Sequence, residues 1–199
     1  MKSTFLLEVS GAFACFTRPE FKVERLSYEM ITSSAARAIF EAIYWQPQIR
    51  WKIQEIAILN PISFAHIKRC ETAVVAHSGK VEVYAERCRQ LRSSVILRDV
   101  KYRIVAELIA YDGKQAKHDA MFRRRAIKGQ CFTQPYLGCR EFAAHWRLID
   151  QGEELQQPID LTRDLGRMLY DIDFSDLNHP KPIFFNAKLI KGVLNINLT

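Results

Sequence analysis

Lys117 and His118 stand side by side in "YDGKQAKHDAMFRRRA", residues 111 to 126, where a turn passes into a helix. Cations at a helix N-terminus oppose the helix macrodipole, so an unassisted helix would carry an acid or a cap there. Tyr44, far upstream in "EAIYW", closes another helical stretch. A tyrosine, a lysine and a histidine converging without acidic ligands would offer a hydroxyl donor, a fixed positive charge and a proton acceptor. That set suits phosphodiester cleavage without a metal. In RNA a base takes the 2′-hydroxyl proton, the oxyanion attacks the adjacent phosphorus, and a cation stabilises the charge building on the phosphorane; DNA lacks that nucleophile.

His118 is the candidate base, because histidine titrates near neutral pH and a helix N-terminus favours its neutral form. A phenol, with a reference pKa of ~10, is a poor base, so Tyr44 is expected to donate a hydrogen bond to the phosphate or orient the nucleophile, and Lys117 to act electrostatically. The plainer alternative makes Tyr44 a core-packed aromatic and Lys117 and His118 solvated first-turn residues. His66, His77, His145 and His179 form no similar cluster. No histidine lies at ligand spacing from another histidine or a cysteine, so neither a metal nor any other cofactor is expected.

The elements that must bring these residues together are read from periodicity. "FLLEVS" from Phe5 reads as a strand. "TSSAARAIFEAIYW" has cap candidates Thr32, Ser33 and Ser34, a helical stripe of Ala36, Ile39, Phe40 and Ile43, and a stop before Pro47. "IRWKIQEIAIL" alternates at Ile49, Trp51 and Ile53, then resumes at Ile56 and Ile58 after a phase slip expected to be a bulge. Residues 61 to 96 are assigned to an insertion, in which "VEVYAERCRQLRS" fits a strand followed by a helix. "DVKYRIVAELIAYD" alternates strictly and predicts a long strand. A basic helix is expected over about 117–128 with Gly129 as its C-cap, then a turn at "PYLG", a strand at "REFAAHWRLI" and short strands at "IFFNAKLI" and "GVLNINL".

This order predicts an α+β chain with a ferredoxin-like, RRM-like β-α-β-β-α-β domain over 1–150 and a small C-terminal β element over 151–199. In that arrangement the end of the first helix and the start of the second share one edge, so Tyr44 should neighbour Lys117 and His118.

The 29 Lys and Arg against 22 Asp and Glu give a net charge of +7, suited to a polyanion, although solubility alone would also explain it. Arg123, Arg124, Arg125 and Lys128 crowd the second helix, and Arg87, Arg89 and Arg92 lie in the insertion; they are the candidate phosphate contacts, against the alternative of solvated faces. "VKYRIVAEL" does not match the RNA-recognition-motif signature. Five cysteines without a CxxC pair indicate neither a disulfide framework nor a zinc site, which fits a reducing cytoplasm. The N-terminal segment superficially resembles a signal peptide, but Glu8 interrupts its apolar run, and no stretch is long enough to span a membrane.

With those blocks in view, "FLLEVSGAFACFTRPEFKVERLSYEMITSSAARAIFEAIYWQPQIRW" and "AKHDAMFRRRAIKGQCFTQPYLGCREF", with the spacing between them, resemble the CRISPR-associated Cas-five-d family of subtype I-C (Dvulg), a branch of the repeat-associated mysterious protein superfamily. The resemblance spans nearly the whole chain. It implies an endoribonuclease that cuts precursor CRISPR RNA in each repeat hairpin, leaves 5′-hydroxyl and 2′,3′-cyclic phosphate ends without a metal, and keeps the 5′ handle. The family's tyrosine then falls on Tyr44, and its lysine–histidine pair on Lys117 and His118. Implied partners are the repeat and mature guide RNA and the backbone and large subunits of the Cascade interference complex. The competing reading is a structural subunit that binds the guide-RNA handle and cuts nothing; the lysine–histidine pair, which handle binding does not require, separates the two. Contact with double-stranded DNA is a secondary possibility resting on charge alone.

Overall fold

A computed structural model describes residues 2–21, 23–72, 84, 86, 88–150, 152–173, 175–176 and 179–196. Its elements are β1 (Lys2–Ala14), α1 (Ser33–Ile43), β2 (Ile49–Ile58), β3 (Phe64–Thr72), β4 (Arg89–Ala110), α2 (Gln115–Ile127), β5 (His145–Ile149), β6 (Arg163–Asp173), β7 (Lys181–Ile190) and β8 (Val193–Asn195).

The chain is a mixed α+β structure around a curled antiparallel sheet. Among the described residues that sheet has eight strands in the order β5-β1-β4-β2-β8-β7-β6, with β3 paired to β4 off this path. β4 alternates strictly because its successive side chains point to a buried and a half-buried face, and it is paired on both flanks: Ile104 lies opposite Leu7 of β1 and Ile56 of β2, and both neighbours are antiparallel. The phase slip in β2 is a register shift between Ile53 and Glu55, which lets Ile49, Trp51 and Ile53 and then Ile56 and Ile58 all stay buried.

Residues 61 to 96 are organised by a hairpin-like pairing that the sequence did not announce. β3 pairs with the first half of β4 from Phe64↔Leu97 to Thr72↔Arg89. Arg89 to Ser94 are therefore extended, not helical as "VEVYAERCRQLRS" suggested; the first part of that stretch, and His77, lie outside the described residues. The strand expected over "REFAAHWRLI" is shorter, because Leu137, Cys139 and Phe142 close a turn through Leu137 N–H to Phe142 O and Phe142 N–H to Cys139 O. At the C-terminal end β8 pairs with β2 and with β7, so β6 to β8 continue the same sheet. Among the described residues no helix is long and apolar enough to cross a membrane.

The core beneath the helices is aromatic. Phe5 of β1, Phe40 of α1, Trp51 of β2 and Phe122 of α2 meet with ring centroids 4.6 to 5.8 Å apart. Each is 4% exposed or less. Such packing fixes the two helices against the sheet and against each other.

Candidate active site

α1 runs from a cap to a clamp. Thr32 Oγ1 accepts the Ala35 N–H at 3.3 Å, and Ser33, Ala36, Ile39, Phe40 and Ile43 form the buried stripe. The helix ends at Tyr44, which turns extended (φ −153°, ψ 119°) while its N–H still donates to Phe40 O. The Tyr44 carbonyl in turn accepts the Trp51 indole N–H at 2.9 Å, tying the residue to the aromatic core.

α2 begins two residues earlier than its sequence suggests, at Gln115, which is buried and acts as a clamp. Its Nε2 donates to Leu108 O and to Asp119, and its Oε1 accepts the Ala110 N–H, so the helix start is bolted to the end of β4. The far end closes as a Schellman motif. Gln130 N–H reaches Arg125 O and Gly129 N–H reaches Ala126 O, with Gly129 at φ +64°. Gly129 thus sits in the place its type predicts.

Between these two helices, Tyr44 Oη lies 2.8 Å from His118 Nδ1. Both side chains are buried, at 3% and 4% exposure. The other ring nitrogen, Nε2, lies 3.1 Å from Asp112 Oδ2. Asp112 is not singled out by the sequence, which has the three residues converge without an acid. Its carboxylate also accepts the Lys114 N–H at 3.0 Å, closing the turn that starts α2. That backbone bond first, and the His118 bond second, hold its carboxyl below the usual carboxylate range. The "DG" turn directly before the helix was the available signal, because a turn aspartate two residues before an N-cap points back at the first helical turn. It also supplies the negative charge that Lys117 and His118 lack at a helix N-terminus.

An ionised carboxylate can only accept, so Asp112 requires Nε2 to carry the proton. Nδ1 of a neutral ring is then the acceptor, and the Tyr44 O–H donates to it. The phenol keeps its proton firmly. Burial pushes the Tyr44 hydroxyl above its ordinary pKa; the Arg125 guanidinium, 5.4 Å over the ring, pulls the other way, and Asp112 pushes upward again.

Lys117 is exposed on the next position of α2, and its Nζ makes no ion pair or hydrogen bond among the described residues. Arg125 donates to Ile43 O at 3.2 Å besides covering Tyr44, so it braces the end of α1. Arg124 and Lys128 are exposed on the last turn and C-cap of α2. Arg123 is held by Asp150 at 2.8 Å. The basic residues of the insertion lie elsewhere: Arg89 sits opposite Thr72 at the open end of the β3–β4 pair, Arg92 is engaged by Glu71 at 3.6 Å, and Arg87 lies outside the described residues. Among the described residues no three His, Cys, Asp or Glu side chains gather closely enough to hold a metal ion.

Comparison with known proteins places this chain in a family. The family model described as CRISPR-associated protein (Cas_Cas5), of type Cas5d, matches residues 4–196. The chain belongs to the Cas5d family. A Cas5d protein of Mannheimia succiniciproducens named CRISPR pre-crRNA endoribonuclease is 43% identical, over 98% of this chain and 96% of that protein. One of Thermus thermophilus with the same name is 36% identical, over 96% of this chain and 90% of that protein. A solved structure described as a CRISPR-associated protein superposes with a TM-score of 0.75 at 25% identity, covering all of this chain and 94% of the other.

Proposed function

We propose that this Cas5d chain is a pre-crRNA endoribonuclease that cuts within the repeat hairpin by attack of a 2′-hydroxyl on the adjacent phosphodiester. Membership in the Cas5d family, with full-length relatives named for that activity, supports the reaction class. The observation that carries the mechanism is the hydrogen-bonded series Tyr44–His118–Asp112, with the exposed Lys117 one residue away.

Both nitrogens of His118 are engaged, so the histidine acts through Tyr44. The 2′-hydroxyl gives its proton to the Tyr44 oxygen as the phenol proton passes to His118 Nδ1. Asp112 stabilises the imidazolium that results, in the manner of an orienting carboxylate behind a histidine base. The 2′-oxygen bonds to phosphorus, the P–O5′ bond breaks, and the 5′-oxygen leaves and takes up a proton. The ends are a 2′,3′-cyclic phosphate and a 5′-hydroxyl, and no step calls on a metal. Lys117 stabilises the equatorial charge of the phosphorane. A buried phenol with a raised pKa is a poor base alone, which is why the histidine behind it matters.

In this reading the β5-β1-β4-β2 strands with α1 and α2 are a ferredoxin-like core over 1–150, with the insertion at about 61–96, and residues 151–199 are the small C-terminal β element. Arg124, Arg125 and Lys128 contact the RNA backbone, with Arg123, Arg87, Arg89 and Arg92 as further phosphate contacts. The product stays bound by its 5′ handle as the chain joins the backbone and large subunits of a cytoplasmic type I-C complex.

The test is cleavage of the cognate repeat RNA by purified protein in EDTA, beside a copy with a 2′-deoxy residue at the scissile position. Only the all-ribose RNA should be cut. Binding of both RNAs with cutting of neither would leave a handle-binding structural subunit.

A further inference from the structure

Next to the candidate site the surface carries aromatic side chains that packing does not explain. Trp45 is 52% exposed, Phe132 85% and Tyr136 38%. They line one groove of about 360 Å³ between α1 and the segment after α2, with Pro135 and Glu41 also in its walls. Its far wall is preformed. Phe132 and Thr133 N–H both donate to Ala42 O, Pro135 O accepts the Ala144 N–H, and Tyr136 pairs with Ala143.

We propose that this groove stacks an unpaired nucleobase of the RNA strand whose phosphodiester reaches Tyr44. The proposal rests on the reading of the chain as an RNA-cutting enzyme and adds a base-binding site to it. Three observations favour a base. Trp45 directly follows Tyr44, so a nucleotide held there lies within one residue of the candidate chemistry. Charge suits an anionic strand: Arg125 braces Ile43 and covers Tyr44, the two residues before Trp45, Lys128 is exposed on the same turn, and Glu41, the acid in the wall, is ion-paired at 3.3 Å with Arg37, whose guanidinium it shares with Asp171. The groove is also compact, whereas a protein partner would want a broad continuous face. Flat rings open to solvent beside cations are how single-stranded nucleic acid is held without reading its sequence.

Tryptophan emission tests this directly, because Trp51 is buried, Trp146 half-buried and Trp45 the most exposed of the three. The probe is the cognate repeat RNA with a 2′-deoxy scissile residue. Binding should quench emission in the native protein, and Trp45→Phe should remove most of the quench. With all-ribose RNA, Trp45→Ala and Phe132→Ala should each raise KM about tenfold with a smaller change in kcat. Both side chains are exposed, so these variants keep the fold, and Phe21→Ala, an exposed aromatic outside the groove, is the control. Quenching without cleavage would support the groove while overturning the cutting mechanism. Cleavage with no quench and unchanged KM in both groove variants would overturn the groove alone and give that face to a protein partner. Absence of any RNA binding would overturn both.

Discussion

Tyr44 and His118, 74 positions apart in the chain, share a 2.8 Å hydrogen bond in a buried seam between two helices. The bond has a consequence for mutation. Tyr44→Phe keeps the ring under Arg125 and against the core while removing the atom that faces His118. Single-turnover cleavage of repeat RNA should fall by about 10²- to 10⁴-fold, the range of a positioned proton-transfer group, while RNA affinity measured by filter binding holds.

Asp112 fixes which nitrogen of His118 is protonated. In Asp112→Asn the amide can present its N–H to Nε2 instead, which favours the wrong tautomer, and cleavage should fall on the order of 10²-fold or more. The same residue sets an acid limit. Its carboxyl is held below its ordinary value near 3.8, first by the Lys114 N–H and then by His118. A depressed carboxylate contributes stability that is present above the unfolded-state value and lost as the pH falls below it through the folded one. Thermal melts should therefore show the native protein losing stability below pH ~4 more steeply than Asp112→Asn.

Lys117 is exposed, so removing it should leave the fold alone. Lys117→Ala should melt at the native temperature and cut RNA about 10²- to 10³-fold more slowly, the cost of losing one group aimed at developing charge. An equal loss of RNA affinity and of rate would instead mark it as a phosphate contact.

Arg124 and Lys128 predict a salt effect. Each phosphate contact on a single strand contributes about −0.7 to the slope of log affinity against log salt. Arg124→Ala and Lys128→Ala should each flatten that slope by about this amount, read by RNA binding across a salt series. Arg92→Ala should change it less, since that guanidinium is already engaged by Glu71.

Thr32 caps the helix that ends at Tyr44. Thr32→Ala should cost about 1 kcal/mol and lower the melting temperature by about 2–4 °C, with cleavage at moderate temperature unchanged. A large loss of activity would mean that α1 transmits disorder from its cap to Tyr44.

Much of this site is legible in the sequence. The helical stripe of α1 and the alternation of β4 both come from burial of one face, which is a strong periodic signal, and the element order predicts that Tyr44 neighbours Lys117 and His118; the structure brings His118 to Tyr44, while Lys117 stays exposed on the next position. Asp112 was not legible as a partner, because an acid in an Asp-Gly turn is ordinarily read as a local cap and its reach to the second turn is a matter of geometry. β3 and the first half of β4 escaped for the opposite reason. Exposed and half-exposed residues alternate from Phe64 to Thr72, and only Ala65 and Ile67 pack against the small buried cluster around Ile96, so the apolar period is too short to mark them. β6 was unread because Gly166 and Asp171 interrupt its pairing with β7 by register shifts.

In the proposed mechanism His118 takes the proton in cleavage and does not merely support the fold. The measurement is single-turnover cleavage of repeat RNA by His118→Ala beside RNA affinity and thermal melting of the same variant. Cleavage should be lost by at least about 10²-fold with affinity and melting temperature close to native. Cleavage at the native rate by a folded His118→Ala protein would contradict it.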